Sequence, residues 1–140
     1  MINSFGSSEK KLLDVGSGTG DFLSICKNNG WSVCGVEPNK EARTIAENKK
    51  VKSHKDISLV KENKFDVITL WHVLEHVENL LEYVDILKEK LKPNGTIIIA
   101  VPNYKSFDAN HYKEFWAAFD VPRHLWHFSQ DSIKKIFSNV

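Results

Sequence analysis

The sequence predicts an α/β fold in which a mostly parallel sheet carries helices on both faces. Short apolar runs alternate along the chain with amphipathic segments, which is the pattern of repeated strand–helix–strand units. In addition, a glycine-rich turn, Gly16 to Gly20, separates the first apolar run from the first amphipathic segment. Glycines at this point permit the tight strand-to-helix connection that such a fold needs.

Each element follows from local pattern. The five predicted strands are Lys11 to Val15, Ser32 to Glu37, a weak third strand Val51 to His54, Phe65 to Leu70, and Thr96 to Val101. The four predicted helices are Asp21 to Asn29, Asn39 to Asn48, Val77 to Leu91, and Gln130 to Ser138. We expect Gly30 to end the first helix in a left-handed conformation, Ser129 to cap the last helix, and Lys92–Gly95 to form a turn.

Composition indicates one domain spanning residues 1–140, with small-molecule chemistry as the default. The 140 residues are 41% hydrophobic, and 19 basic against 18 acidic residues give a net charge of +1. Such a balance predicts no nucleic-acid and no membrane partner. The N-terminus lacks the features of a signal peptide, so we expect a cytoplasmic protein. Cys26 and Cys34 lack metal or disulfide spacing and are interpreted as reduced packing residues.

The glycine loop is the predicted cofactor site, because α/β sheets bind ligands beyond the carboxyl ends of their strands. It reads Gly16-x-Gly18-x-Gly20-Asp21, whereas a dinucleotide fingerprint has its third glycine where this chain has Asp21. A carboxylate there opposes a pyrophosphate but complements the ammonium group of an amino-acid cofactor. Asp14, at the end of the first strand, adds a second carboxylate.

Later strand ends extend this site. Glu37 ends the second strand before Pro38, about 20 residues beyond the loop, the separation at which a carboxylate binds a ribose diol. Asp56 with Ile57 is expected to hold an adenine through a polar edge and an apolar face. The end of the fourth strand, Leu70-Trp71-His72, is expected to line the opposite wall.

Three segments together resemble class I S-adenosylmethionine-dependent methyltransferases: Leu12–Asp21, Phe65–Val77 and Leu91–Thr96. The segment Asp120–Ser129 further resembles type-23 methyltransferase domains, relatives of the quinone-biosynthesis O-methyltransferases. The resemblance implies a Rossmann-like three-layer sandwich with strand order 3-2-1-4-5, S-adenosylmethionine as cofactor and methyl transfer to a small-molecule acceptor, with oxygen favoured. It also implies roles for three sets of residues: Asp14, Gly16, Ser17, Gly18 and Gly20 around the methionine moiety; Glu37, Asp56 and Ile57 at the nucleoside; and Trp71 and His72 completing the pocket.

The chain departs from this family at both ends, which look short. The sixth and seventh strands, an antiparallel hairpin beside the fifth, have no counterpart here, so we expect a domain truncated at one or both ends. The apolar strand Thr96–Val101 then becomes an exposed sheet edge. A homodimer that covers this edge is one explanation of the ending.

Histidine is the expected general base for a hydroxyl acceptor, because its pKa lies near neutrality. His72, His124 and His127 are the catalytic candidates, each weighed against a packing role. His72, Glu75 and His76 have the i, i+3, i+4 spacing of a metal site. Some related methyltransferases bind a divalent ion in this region but carry an acidic residue at the position of His72, so we expect no metal.

Two points stay open from the sequence. The aromatic-rich segment from Tyr104 to Phe128 fits either a lid over an apolar acceptor or a small satellite core, whereas its few positive charges make a poor nucleic-acid groove. The overall function has two alternatives to methyl transfer: a nicotinamide-dependent oxidoreductase, disfavoured by the glycine spacing, and a cofactor-binding fragment without turnover.

Overall fold

A computed structural model describes residues 10–62 and 64–138, and this part of the chain contains five strands and five α-helices. The strands are β1 (Lys11–Val15), β2 (Ser32–Val36), β3 (Ser53–His54), β4 (Phe65–Trp71) and β5 (Leu91–Ala100). The helices are α1 (Asp21–Asn28), α2 (Lys40–Asn48), α3 (Leu80–Lys90), α4 (Phe107–Tyr112) and α5 (Gln130–Ile136). Short 3₁₀ turns cover Ile57–Leu59, Leu74–His76, Lys113–Phe115 and Ala117–Phe119.

The strands form one sheet in the order β3-β2-β1-β4-β5, which confirms the predicted topology. β1 pairs in parallel with β2 and with β4, and β2 pairs in parallel with β3. Parallel strands end at the same edge of a sheet, so the loops that follow β1, β2 and β3 and the end of β4 share the carboxyl edge. The predicted cofactor residues therefore lie along that edge.

One face of the sheet is buried by α1 and α2. The buried members of this cluster are Leu12, Leu23, Cys26, Trp31, Ala46, Val51 and Val67, with Phe22, Val33 and Ile98 packed against them. The cluster and the side chains packed against it include residues from β1, β2, β4 and β5 and from both helices. Its burial contributes the main hydrophobic stabilisation of this part of the fold.

Most predicted boundaries are confirmed to within a residue or two. Asn39 caps α2 by accepting from the Ala42 N–H, and Ser129 caps α5 by accepting from the Ser132 N–H. Gly30 follows α1 with φ of +85°, as expected for a left-handed end. The third strand is shorter than predicted, because Val51 instead bonds through its N–H to the Ala46 carbonyl at the end of α2.

Two boundaries were wrong. Helix α3 begins at Leu80 and not at Val77, because the 3₁₀ turn Leu74–His76 ends at Val77 in an extended conformation. Strand β5 begins at Leu91, so Lys92–Gly95 belongs to the strand and not to a separate turn. Lys92 Nζ lies 3.0 Å from each carboxylate oxygen of Asp66, which holds this segment beside the start of β4.

The chain divides into two compact units. One contains the described residues up to Trp71 together with Glu89–Ile99; the other contains His72–Lys88 and the described residues from Ala100 onward. The first unit carries the carboxyl ends of β1 to β4, and the second carries the three candidate catalytic histidines. Among the helices described, none has the length and apolar character needed to cross a membrane.

Gly20 combines a left-handed backbone with a crowded side-chain position. It has φ of +74°, and a Cβ placed there would lie 2.9 Å from Ala46 Cβ. Gly30 has φ of +85° and no atom within 4 Å of such a Cβ. An alanine at this position therefore measures the cost of the left-handed backbone without any steric overlap. We expect Gly30→Ala to lower the free energy of unfolding by about 1 kcal/mol and Gly20→Ala by about 3 kcal/mol, measured by urea denaturation.

The second substitution Ala46→Gly should recover part of the Gly20→Ala loss, because it removes the atom that the new Cβ meets. Equal losses in the two alanine variants would contradict the proposed contact.

Candidate functional site

The glycine loop between β1 and α1 is held by its backbone. The N–H groups of Gly16 and Ser17 both donate to the Val36 carbonyl, at 2.8 and 3.0 Å, and the Gly20 N–H donates to the Ser17 carbonyl at 3.0 Å. Gly16, Gly18 and Gly20 all have positive φ, a conformation that L side chains rarely adopt. The loop is thus tied to the end of β2 before any ligand binds.

Gly18 and Glu37 meet directly. The Gly18 N–H donates to Glu37 Oε2 at 2.9 Å, and Glu37 Oε1 accepts from the Asn39 N–H at 2.8 Å. A Cβ at Gly18 would meet no atom within 4 Å, so the loop faces open space at this residue. Both residues were predicted from the sequence to bind the cofactor, but the hydrogen bond between them was not predicted. It fixes a carboxylate directly beside an accessible backbone turn.

Asp21 does not present a free carboxylate. Its Oδ1 accepts from Lys49 Nζ at 2.8 Å, and its Oδ2 accepts from Thr19 Oγ1 at 2.6 Å. Lys49 Nζ also donates to the Thr19 carbonyl at 2.9 Å. The hydrogen bond from Lys49 is the main cause of the lowered pKa of Asp21. Asp21 was expected to attract the ammonium group of a cofactor, but the ammonium group of Lys49 already binds its carboxylate.

Gly35 was missed by the sequence reasoning. A Cβ at this position would overlap the hydroxyls of Ser17 and Ser53, which lie 3.3 Å apart as Oγ to Oγ. Ser17 is buried, so its hydroxyl is directed into the fold, and Gly35 provides the space for it. A glycine inside a predicted strand is a sequence signal for close approach, and it was available here.

Asp14 is a buried carboxyl group in the central strand, 2% exposed. Thr69 Oγ1 on β4 donates to Asp14 Oδ1 at 2.6 Å. Burial raises the pKa of Asp14 to about 6, and the Thr69 hydrogen bond opposes that rise. The group is consequently ionised at neutral pH and protonated in mildly acidic solution.

Asp56 and Ile57 follow β3, as predicted, but both have structural contacts. Asp56 Oδ1 accepts from the N–H and the hydroxyl of Ser58, at 2.9 and 2.6 Å, and so caps the 3₁₀ turn Ile57–Leu59. These hydrogen bonds lower the pKa of Asp56. Ile57 is 2% exposed and packs in the core. Asp56 is exposed, and Pro38, beside Glu37, is exposed as well.

The end of β4 combines a buried and an exposed side chain. Leu70 is fully buried, whereas Trp71 is 37% exposed. The Trp71 ring meets the Phe22 ring of α1 edge to face, with centroids 5.9 Å apart and an interplanar angle of 81°. Phe22 was not identified from the sequence. Its contact orients Trp71 within the first unit.

His72 has an unusual backbone and a buried carboxylate partner. Its φ is +56°, its N–H donates to the Ala100 carbonyl at 2.8 Å, and its Nδ1 lies 3.2 Å from Glu75 Oε1. The His72 side chain is 65% exposed, whereas that of Glu75 is 1% exposed. Glu75 Oε2 has no hydrogen-bond partner within the described residues. An exposed imidazole oriented by a buried carboxylate is an arrangement suited to proton transfer.

The other two catalytic candidates are bonded to backbone carbonyls. His124 Nδ1 lies 2.8 Å from the Ala118 carbonyl, and the side chain is 10% exposed. His127 Nε2 lies 3.0 Å from the Phe119 carbonyl. A carbonyl oxygen only accepts, so these ring nitrogens carry the protons. His124 Nε2 also lies 3.7 Å from Asp120 Oδ2, but the Asp120 side chain is 28% exposed. His72 therefore differs from the other two histidines by its closer contact with a fully buried carboxylate.

The sequence spacing suggested His72, Glu75 and His76 as a possible metal set, but the structure brings together a different set of three residues. The three residues in this region whose ligand atoms lie within 4.8 Å of one another are Glu75, His76 and His124. His76 Nδ1 contacts the Arg123 carbonyl at 3.0 Å, and the His76 and His124 rings lie edge to face with centroids 4.8 Å apart. Glu75 and His76 form a 3₁₀ turn, and do not begin α3.

The aromatic-rich segment contains both buried and exposed aromatic side chains. Phe128 is 3% exposed, and Trp116 packs edge to face on Phe119 with centroids 5.2 Å apart. Phe107 and Phe115, in contrast, are each 81% exposed. The segment is therefore partly a packed cluster and partly an exposed apolar surface.

Comparison with known proteins identifies relatives of the whole domain. A family model described as a methyltransferase domain matches residues 3–140. A ubiquinone biosynthesis O-methyltransferase from Histophilus somni is 32% identical over 112 residues, covering 70% of this chain and 47% of the relative. The mitochondrial ubiquinone biosynthesis O-methyltransferase of Schizosaccharomyces pombe is 31% identical over 109 residues, covering 66% of this chain and 38% of the relative.

Among solved structures, a SAM dependent methyltransferase from Archaeoglobus fulgidus has a TM-score of 0.75 and 24% sequence identity, covering 94% of this chain and 60% of that protein. This likeness supports the fold. The chain spans about half the length, or less, of the two curated relatives.

The raised pKa of Asp14 predicts a stability that falls as the pH rises. The unfolded carboxyl group titrates near 3.8 and the folded one near 6, so the folded state binds more protons between these values. Ionisation of the buried group therefore costs stability, by about 3 kcal/mol in total, and the cost is complete above pH 6. We expect this decline between pH 4 and 6 in the free energy of unfolding measured in urea.

In Asp14→Asn, the free energy of unfolding should not show this decline between pH 4 and 6, because the amide does not ionise. Its oxygen can still accept the hydrogen bond from Thr69. Parallel curves for the two proteins between pH 4 and 7 would show that Asp14 does not titrate as described.

Proposed function

Because this chain belongs to the family of methyltransferase domains, we propose that it binds S-adenosylmethionine at the carboxyl edge of its sheet and transfers the methyl group to an oxygen of a small-molecule acceptor. The observation that carries the proposal is the hydrogen bond between the Gly18 N–H and Glu37 Oε2. It places an accessible glycine turn and an acceptor carboxylate side by side, directly after the adjacent strands β1 and β2. The curated relatives are O-methyltransferases, which favours oxygen as the methylated atom.

The residues at this edge of the sheet fit the cofactor. Glu37 accepts one hydrogen bond on each oxygen, and every carboxylate oxygen has a second lone pair, so both remain able to accept from the ribose hydroxyls. Gly18 has no atom near its missing side chain, which leaves room for the ligand against the backbone. Pro38 continues the chain from Glu37 at the exposed edge.

Further residues are assigned to the two ends of the cofactor. Gly16, Ser17 and Gly20 form the loop around the methionine moiety, with Asp14 ionised beneath them and the Leu70 carbonyl and Trp71 at the end of β4. At the other end, the Asp56 oxygen not bonded to Ser58 would accept from the adenine amino group, while Ile57, which is 2% exposed, would support the turn that carries Asp56. Asp14 then attracts the cofactor ammonium only above its pKa of about 6.

When bound, the cofactor supplies a methyl group on a positively charged sulfur, an electrophile that needs an aligned nucleophile and the exclusion of water. We assign proton removal to His72, which directly follows Trp71 in the chain. With its Nδ1–H donated to Glu75, Nε2 would be free to take the acceptor hydroxyl proton while the methyl carbon passes from sulfur to the acceptor oxygen and the neutral thioether leaves. His124 and His127 are the weaker candidates, because each donates to a backbone carbonyl and contacts no buried carboxylate as closely.

Cofactor binding is tested first at Glu37. We expect Glu37→Ala to weaken the affinity for S-adenosylhomocysteine by at least about tenfold, because the ribose loses its acceptor and the loop loses its tie. Glu41→Ala, on the exposed surface of α2, is the matched control and should bind as the wild type does. Isothermal titration calorimetry measures both.

An unchanged affinity in Glu37→Ala would remove Glu37 from the site. Tight NAD binding by the wild-type chain, with no response to S-adenosylhomocysteine or S-adenosylmethionine, would instead favour the oxidoreductase alternative.

Catalysis is tested at His72. With labelled S-adenosylmethionine and a panel of phenols and other hydroxyl acceptors, we expect His72→Ala to lower kcat by about 100-fold and leave cofactor affinity nearly unchanged. His127→Ala is the control, and Glu75→Gln should alter the pH dependence of kcat by changing the partner of His72 Nδ1. Cofactor binding without transfer to any acceptor would favour a domain that binds but does not turn over.

A further inference from the structure

A second group of chemically reactive side chains lies on the outer strands of the first unit, apart from the glycine loop. Cys34 on β2, His54 on β3 and Glu62 in the following segment each offer one ligand atom, and these atoms lie within 4.8 Å of one another. The thiol of Cys34 is buried, whereas the carboxylate of Glu62 is exposed. No part of the proposed methyl transfer uses these three residues.

His54 provides the second observation. Its Nε2 is buried and, in the part of the chain described, has no hydrogen-bond partner. A buried polar atom without a partner is costly, and one explanation is a ligand absent from the protein atoms. Burial lowers the pKa of His54, so the ring is neutral and retains the lone pair that a metal requires. The Cys34 thiol, for its part, makes only a long contact of 3.9 Å with the Gly35 carbonyl.

We propose that Cys34, His54 and Glu62 bind one divalent cation of the zinc class. A sulfur, an imidazole nitrogen and a carboxylate oxygen are the donor types that zinc prefers, and water reaches the exposed Glu62 side to complete a tetrahedron. Tetrahedral ligands lie about 3.3–3.6 Å apart, so a separation of up to 4.8 Å needs a small contraction. The exposed Glu62 side chain has the freedom to provide it.

Charge supports a divalent ion at this position. The thiolate and the carboxylate together neutralise two positive charges, while His54 stays neutral. Two lysines also face the cluster: Lys52 Nζ lies 3.4 Å from Glu62 Oε1 with its side chain 66% exposed, and Lys90 Nζ donates to the Val60 carbonyl at 2.7 Å. Lys52 can turn to solvent when Glu62 binds the ion, whereas Lys90 keeps its carbonyl partner.

The ion would fasten a short edge strand. β3 contains two residues and pairs only with β2 in the described sheet. A bridge from His54 to Cys34 crosses that pairing, and Glu62 joins the segment that follows the 3₁₀ turn. We therefore expect the bound cation to raise the stability of this side of the sheet. The proposal does not depend on the methyl-transfer activity.

Proton release gives the sharpest test. Burial raises the pKa of the Cys34 thiol to about 11, so at pH 7 the thiol proton must leave to solvent as the sulfur–metal bond forms. His54 is neutral and Glu62 is ionised, so neither releases a proton. We expect calorimetric titration of the reduced, metal-free chain with Zn²⁺, repeated in two buffers of different ionisation enthalpy, to give one ion bound and about one proton released.

Variants locate the ion. Cys34→Ser and Glu62→Gln should each weaken Zn²⁺ affinity by at least about tenfold, and Cys34→Ser should also abolish the near-ultraviolet sulfur-to-metal band of the Co²⁺-loaded chain. Cys26→Ser is the matched control for a buried free cysteine and should keep both properties. Glu62 is exposed, so its variant tests the site without disturbing the core.

Absence of Zn²⁺ binding by the wild type would overturn the proposal. So would binding that releases no proton, persists in Cys34→Ser and is lost in His124→Gln, because that result would place the ion on Glu75, His76 and His124, which offer no thiol.

Discussion

Strand β1 lies between β2 and β4 and pairs in parallel with both, and the arrangement of the candidate site depends on this double pairing. Since all three strands run in one direction, the residues that follow them lie at the same edge of the sheet. The loop after β1 then bonds to the last residue of β2, through two N–H groups that share the Val36 carbonyl. The position of Glu37, the next residue, follows from that connection.

The burial of β1 also determines the pKa of its one carboxyl group. Asp14 is the only acidic residue of β1, and its location between two neighbours removes water from its carboxyl group. Thr69, on β4, supplies a hydroxyl that keeps the group partly satisfied. A charge in such surroundings responds strongly to any cation that approaches from the open edge, because little solvent screens it. The cost of burial in the unliganded protein is thus also a source of affinity for a cationic ligand.

The sequence was most informative where one residue determines one local conformation. The glycines of the loop and the cap Ser129 follow from local backbone preferences. The location of Glu37 also followed, because a strand end can be counted along the chain. These features depend on neighbours within a few residues, which a sequence displays directly.

Features that depend on distant residues were not predicted. From the sequence, Glu75 was considered only for its spacing with two histidines, yet it is fully buried and contacts the exposed ring of His72. Its backbone carbonyl accepts from the Leu125 N–H, 50 residues later. The contacts of Gly35 depend on Ser17 in the glycine loop and on Ser53 on β3, and the ion pair of Lys92 depends on Asp66 on β4. Cys34, His54 and Glu62 are 20 and 8 residues apart along the chain, and no spacing rule connects them.

The ion pair between Asp21 and Lys49 changes how the glycine loop should be compared with other nucleotide-binding loops. Lys49 terminates α2, and its ammonium group reaches back to bind both the Thr19 carbonyl and the Asp21 carboxylate. The acidic residue that separates this loop from a dinucleotide fingerprint therefore belongs to a bridge between the loop and a neighbouring helix. Redesign of the loop toward a pyrophosphate ligand would therefore have to take Lys49 into account, since a glycine at 21 alone would remove its carboxylate partner and leave its ammonium group on the Thr19 carbonyl.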